Sequence, residues 1–167
     1  MSTSRKLSFD WALWFLWIMG TTLGWFIGAY VLPGFPALMS GVLISMFQWA
    51  VLYKRIPKAW HWAIASSIGW AVGWVMIVIW LPPQLDFLAG LLISTTTGIA
   101  QWLVLRKIVY WSGWWIPVSI VGWTTGLTFM PGVLTSGALP GAITGIALTI
   151  LLHYAPKEPL QEMQTSI

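Results

Sequence analysis

The sequence predicts an all-α integral membrane bundle of six helices, built from three helical hairpins repeated in parallel orientation. Three observations predict it. First, the 167 residues are 58% apolar and only 7% charged, whereas soluble domains carry about 25% charge. Eight basic and four acidic side chains cannot cover a water-facing surface of this size. Second, six apolar stretches are each long enough to cross about 30 Å of hydrocarbon at about 1.5 Å per residue. Third, one motif recurs in every odd-numbered stretch. A mean hydropathy of +0.80 also excludes disorder. The absence of cysteine excludes disulfide frameworks, iron–sulfur clusters and thiol chemistry.

The first stretch, Trp11–Tyr30, follows Asp10, which suits a helix N-cap. Arg5 and Lys6 ahead of it resemble the start of a signal peptide, but no small-x-small cleavage site follows. The stretch also carries the internal repeat, so it reads as retained. Pro33-Gly34-Phe35-Pro36 separates it from the second, Phe35–Tyr53. The third, Trp60–Leu81, stops at Pro82-Pro83, because proline lacks the N–H and clashes with the preceding turn. The fourth, Asp86–Leu105, has Asp86 as its expected N-cap. The fifth, Trp111–Met130, holds Pro117 and stops at Pro131-Gly132, and the sixth is Leu134–Tyr154. These runs are too long, and too little alternating, for barrel strands. The expected organisation is an N-terminal segment 1–10, a transmembrane region 11–154 with hairpins 11–53, 60–105 and 111–154, and a polar tail 155–167.

All the basic residues fall on one side of this topology. Arg5 and Lys6 precede the first helix, Lys54, Arg55 and Lys58 join the second to the third, and Arg106 and Lys107 end the fourth. Lys157 follows the sixth, and the opposite loops contain no Lys or Arg. Short loops with this bias face the cytoplasm, so both termini are expected there. The net charge of +4 then reflects orientation and contact with anionic headgroups. No soluble basic and aromatic surface exists for nucleic acid. The expected partners are the lipid bilayer and a membrane protein.

The odd helices share a gapless pattern of Trp, Ser or Thr, Gly-Trp and Gly. It reads Trp17, Thr21, Gly24, Trp25, Gly28, then Trp62, Ser66, Gly69, Trp70, Gly73, then Trp115, Ser119, Gly122, Trp123, Gly126. The even helices share a looser one: Gly41, Ser45, Gln48, Trp49 and Leu52 match Ser94, Gly98, Gln101, Trp102 and Leu105. In the sixth helix this alignment keeps Gly141, Gly145 and Leu152 and puts Leu148 and Thr149 at the Gln-Trp pair, making the third site apolar. Parallel repeats imply an axis along the membrane normal. Gly24, Gly28, Gly69, Gly73, Gly122 and Gly126 form Gly-x-x-x-Gly faces. Such faces let backbones touch, which is the main attraction between helices in lipid.

Gln48 and Gln101 are the large polar side chains inside the hydrocarbon, each six residues, or about 9 Å, before a lysine. With Thr21, Ser66 and Ser119 they form a candidate polar layer. Its structural reading is a set of interhelical hydrogen bonds worth about 0.6 kcal/mol each. Its functional reading is the lining of a solute or cofactor cavity. Trp11, Trp14, Trp60, Trp62, Trp111, Trp114 and Trp115 stand at cytoplasmic helix starts, where indoles form interfacial belts. Trp25, Trp70 and Trp123 lie deeper and either interlock helices, face lipid or stack on a polyene or quinone ring. His61 and His153 occupy non-equivalent repeat positions, which argues against a haem clamp. No catalytic triad, carboxylate pair, metal-ligand cluster or phosphate-binding loop is present, and no enzyme is expected.

The run Gly98, Gln101, Trp102, Leu105, Arg106, Trp115, Gly122, Trp123 and Gly126 resembles that of small uncharacterised multi-pass bacterial membrane proteins. The resemblance implies a bacterial membrane address and supplies no activity. Six helices in three hairpins also suggest mitochondrial carriers, but their Pro-x-acidic-x-x-basic signature is absent. The expected function is a non-catalytic membrane component, either an accessory subunit or a binder of lipid or an apolar cofactor. The alternative is a channel or facilitator for a small neutral solute. The residues name no cofactor.

Overall fold

A computed structural model describes residues 9–32 and 36–154, without the side chains of Pro36, Ala37 and Asp86. Arg5, Lys6, Gly34, Lys157 and the tail 155–167 lie outside the described residues. The elements of the described residues are all helical. Helix α1 (Trp11–Phe26) continues into a wider π turn at Ile27–Val31. Helices α2 (Pro36–Leu52) and α3 (Trp60–Trp80) follow. A 3₁₀ turn at Pro83–Leu88 leads into α4 (Ala89–Leu105). Helix α5 (Trp115–Thr124) lies between a 3₁₀ turn at Ser112–Trp114 and a π turn at Thr125–Phe129. Helix α6 (Thr135–Tyr154) ends the described residues.

The local chemistry explains most of these limits. Asp10 caps α1, its Oδ1 accepting from the Leu13 N–H at 2.8 Å. Asp86 does not take the expected cap position, because it lies within the 3₁₀ turn and Leu88 is the residue flanking α4. Pro117 is the third residue of α5, in the first turn, where a missing N–H costs nothing. Pro140 sits inside α6 and is buried.

Each helix packs on its chain neighbours and α6 closes against α1, so the six form a ring in chain order. The glycine pairs of the odd helices make the contacts within hairpins. A Cβ on Gly24 would lie 2.6 Å from the Ile44 backbone, and one on Gly28 would meet Ser40 more closely still. Gly69 and Gly73 similarly face Thr97 and Ile93 of α4, and Gly126 faces Pro140 of α6. Gly122 is looser, with Pro140 Cα at 3.4 Å. Small residues of the even helices seat the next odd helix: Gly98 meets Ser119, while Gly137 and Gly141 meet Thr22 and Ile18.

Among the described residues three helical segments are long and apolar enough to cross a membrane: Trp11–Val31, Trp60–Trp80 and Thr135–Tyr154. Polarity is inverted across the ring. Its interior holds Gln48, Gln101 and a series of serines and threonines, while large apolar side chains such as Phe15, Ile68, Val78 and Phe129 cover the outside. Lys54, Arg55, Lys58, Arg106 and Lys107 all occupy the α2–α3 and α4–α5 connections or the helix ends beside them, at the end of the ring where α1 begins. There Arg55 pairs with Asp10.

Candidate functional site

The centre of the ring, in the half nearer the basic end, is occupied by three indoles. Trp17, Trp62 and Trp115 come from α1, α3 and α5, at the first position of the repeated motif. They are 0%, 0% and 1% exposed. Their ring centroids lie 5.3 Å (Trp62–Trp115), 5.6 Å (Trp17–Trp62) and 6.4 Å (Trp17–Trp115) apart, all edge to face. This arrangement sets the positive edge of one ring on the negative face of the next. The expectation that Trp62 and Trp115 belong to an interfacial belt is therefore overturned. Trp11, Trp60, Trp111 and Trp114 are exposed near the basic end as a belt requires. Trp14 is half-buried and donates to the Ala142 carbonyl at 3.1 Å.

Each indole N–H finds an acceptor on an even helix. Trp62 Nε1 donates to Gln48 Oε1 at 3.0 Å, and Trp115 Nε1 donates to Gln101 Oε1 at 2.9 Å. The amide ends reach back to the preceding odd helix. Gln48 Nε2 donates to Thr21 Oγ1 at 3.1 Å, and Gln101 Nε2 donates to Ser66 Oγ at 2.9 Å. Gln101 Nε2 also lies 3.5 Å from Gln48 Oε1, which joins the two units. One glutamine thus ties three successive helices.

The third unit is built differently. Trp17 Nε1 donates to Thr144 Oγ1 at 3.0 Å, so the acceptor on α6 stands one turn before Leu148. Leu148 instead joins the fully buried Leu52 and Leu105 in the core beside the indoles. The expected apolar third site is therefore a polar one. A register error of four residues keeps the same helical face, which is why the motif alone misplaces it. Thr144 donates its own proton to the Pro140 carbonyl. Ser119 Oγ, the counterpart of Thr21 and Ser66 in the motif, is buried with no partner among the described residues. The structure thus brings together Thr21, Gln48, Ser66 and Gln101, and leaves Ser119 outside the hydrogen-bonded set.

Farther from the basic end, Trp70 and Trp123 meet edge to face at 5.1 Å and pack with Ile44 and Ile93. Both are 2% exposed, so neither offers a free face to a flat ligand ring. The Trp25 and Trp74 indole nitrogens are buried without a partner among the described residues. His61 stacks on Trp60 at 3.8 Å, and His153 lies against Tyr154. Their helices, α3 and α6, stand opposite one another in the ring. Among the described residues no three His, Asp or Glu side chains gather closely enough to hold a metal ion.

At the basic end, burial raises the Asp10 carboxyl, while bonds from the Leu13 N–H and Arg55, with the Arg55 charge, outweigh it. The net effect holds Asp10 below its ordinary range. The axial tryptophans were legible in principle. Each stands four residues before the motif Ser or Thr, on the same face, and two stand 14 residues after a Gln. Comparison with protein-family profiles, curated proteins and solved structures finds no match.

Proposed function

We propose that this chain is a non-catalytic, multi-pass component of a bacterial inner or internal membrane. In this reading it is a sealed ring of three hairpin repeats that acts through its outer surface, as an accessory subunit or a binder of lipid or an apolar cofactor. The observation that carries the reading is the axial plug. Three interlocked indoles fill the centre, and each N–H is already bonded to a side chain of the ring. A conduit needs open volume and unspent polar groups along its axis; here both glutamines are used up in holding helices together.

The inverted polarity supports a bilayer setting, because a soluble monomer rarely exposes an apolar patch beyond a few hundred Å². The one-sided basic residues support a cytoplasmic position for the termini. The second reading, a path for a small neutral solute, is favoured by one observation, the unpartnered buried hydroxyls of Ser119 and Thr97. Cross-linking in the membrane, followed by purification in mild detergent, mass spectrometry and an absorbance spectrum, tests the proposal. A stoichiometric protein, lipid or chromophore is expected. A bare chain that conducts solute in proteoliposomes would favour the second reading.

A further inference from the structure

A groove of about 780 Å³ opens on the outside of the ring between α3 and α4, at the basic end. Its rim and its floor differ sharply in chemistry. Lys58, Lys107, His61 and Trp60 stand at the rim. Below them the walls are Ile64, Ile68, Leu103 and Val104, and the methyl-sized Ala65 and Ala100 leave the space between them open. From Trp60 to Ile68 the groove follows α3 for about 12 Å at helical rise, close to one leaflet of a hydrocarbon core about 30 Å thick. A smaller apolar strip of about 390 Å³ begins at the same Ile68 and continues along α3 to Trp80.

Among the described residues no acidic side chain lines the groove to neutralise the charge at its rim. The contrast is Arg55 in the same connection, which turns away to pair with Asp10. Lys58 also holds a left-handed backbone, with φ at 50°, a conformation that glycine or asparagine adopts with less strain. His61 secures this turn, since its backbone N–H donates to the Lys58 carbonyl at 2.9 Å and its Nδ1 lies 3.1 Å from the same oxygen. A strained lysine and a second lysine lining one groove, with an apolar slot about 12 Å long along α3, are what an anionic headgroup with its acyl chain requires.

We infer that the α3–α4 groove is a binding site for an anionic diacyl phospholipid of the basic-side leaflet. Lys58 and Lys107 hold the phosphate, Trp60 and His61 flank the glycerol level, and an acyl chain lies along Ile64, Ile68 and Leu103. The inference rests on the reading of this chain as a membrane protein. Surface lysines near an anionic headgroup are each worth about fivefold in affinity.

The full chain, purified in detergent and titrated with phosphatidylglycerol or phosphatidylcholine of matched acyl chains, provides the test by native mass spectrometry. Wild type is expected to retain phosphatidylglycerol about 25-fold more strongly than phosphatidylcholine, two lysines at about fivefold each. The double variant Lys58→Gln/Lys107→Gln should lower phosphatidylglycerol to the phosphatidylcholine level, and Lys54→Gln should leave the preference intact. Both positions are exposed, and unchanged helicity by circular dichroism establishes that the variant is folded. Equal retention of the two lipids by wild type, or a preference that survives the double variant, overturns the inference. An alkaline wash of membranes separates the two levels: release of the chain overturns the membrane reading and the lipid site together, whereas retention without lipid preference overturns the lipid site alone.

Discussion

Replacing Gln101 by leucine tests whether the polar layer holds the ring together. Leucine fills nearly the same space, so the substitution removes hydrogen bonds without opening a large cavity. Three contacts vanish: the bond from Trp115 Nε1 at 2.9 Å, the bond to Ser66 Oγ at 2.9 Å and the longer 3.5 Å contact with Gln48 Oε1. Interhelical hydrogen bonds in membrane proteins average about 0.6 kcal/mol. The larger loss is the Trp115 N–H, which is left buried without an acceptor at a cost of about 1–3 kcal/mol. Ser66 suffers less, since a hydroxyl on a helix can turn to the carbonyl four residues back, as Ser45 does toward Gly41. Gln101→Leu should therefore lose about 2–4 kcal/mol, read as the shift of the unfolding midpoint in an SDS titration in detergent, followed by circular dichroism. Trp115→Phe removes the same N–H, so its cost should be smaller in the Gln101→Leu background than in wild type, with a coupling of about 1 kcal/mol or more. A Gln101→Leu protein within about 0.5 kcal/mol of wild type would mean that the indole has an acceptor other than the glutamine and that the polar layer does not hold the ring together.

The glycine seams differ in the clearance they leave for a Cβ. Gly24→Ala, whose Cβ would sit 2.6 Å from the Ile44 backbone, should cost about 1–3 kcal/mol in a detergent melt, and Gly69→Leu at least as much. Gly122→Ala, with 3.4 Å to Pro140 Cα, should melt close to wild type. The Asp10 carboxyl is held below its ordinary range, so its contribution is present at neutral pH and is lost as pH falls through the depressed folded value. The difference between wild type and Asp10→Asn should shrink to nothing under that acidification, and should not exceed about 1 kcal/mol at pH 7, the pair being partly exposed. Since the chain has no cysteine of its own, a single cysteine at Gln84 should label from outside intact cells and one at Lys58 should not. Labelling at both positions would reverse or abolish the expected orientation.

Helix limits were readable because proline and the apolar run lengths act locally. Trp60 starts α3 and Leu105 ends α4 where the composition changes. That each glutamine bonds a hydroxyl was also readable, since a buried amide needs a partner and the small faces bring one near, but which hydroxyl, Thr21 for Gln48 and Ser66 for Gln101, was not. The burial of Trp62 and Trp115 was not read from depth along the helix, because depth alone says nothing about which way a side chain faces around it. Trp60 and Trp62 are two residues apart, about 200° around the helix, and one faces outward while the other reaches the axis. Thr144 escaped for a different reason. Glycines recur every fourth residue from Gly137 to Gly145, so α6 matches the even-helix pattern equally well one turn out of register. The π turns at Ile27–Val31 and Thr125–Phe129 both include the second motif glycine, and no sequence signal distinguishes them from ordinary helix.

A sealed axis would pass no small neutral solute. Reconstitution of the purified chain into liposomes, with release or uptake of water, urea and glycerol followed by stopped-flow light scattering, measures this directly. With Trp17, Trp62 and Trp115 interlocked across the centre, the permeability of proteoliposomes to each solute should equal that of protein-free liposomes. A flux above that baseline which Gln48→Leu or Gln101→Leu abolishes would contradict the account and make the polar layer the lining of a path.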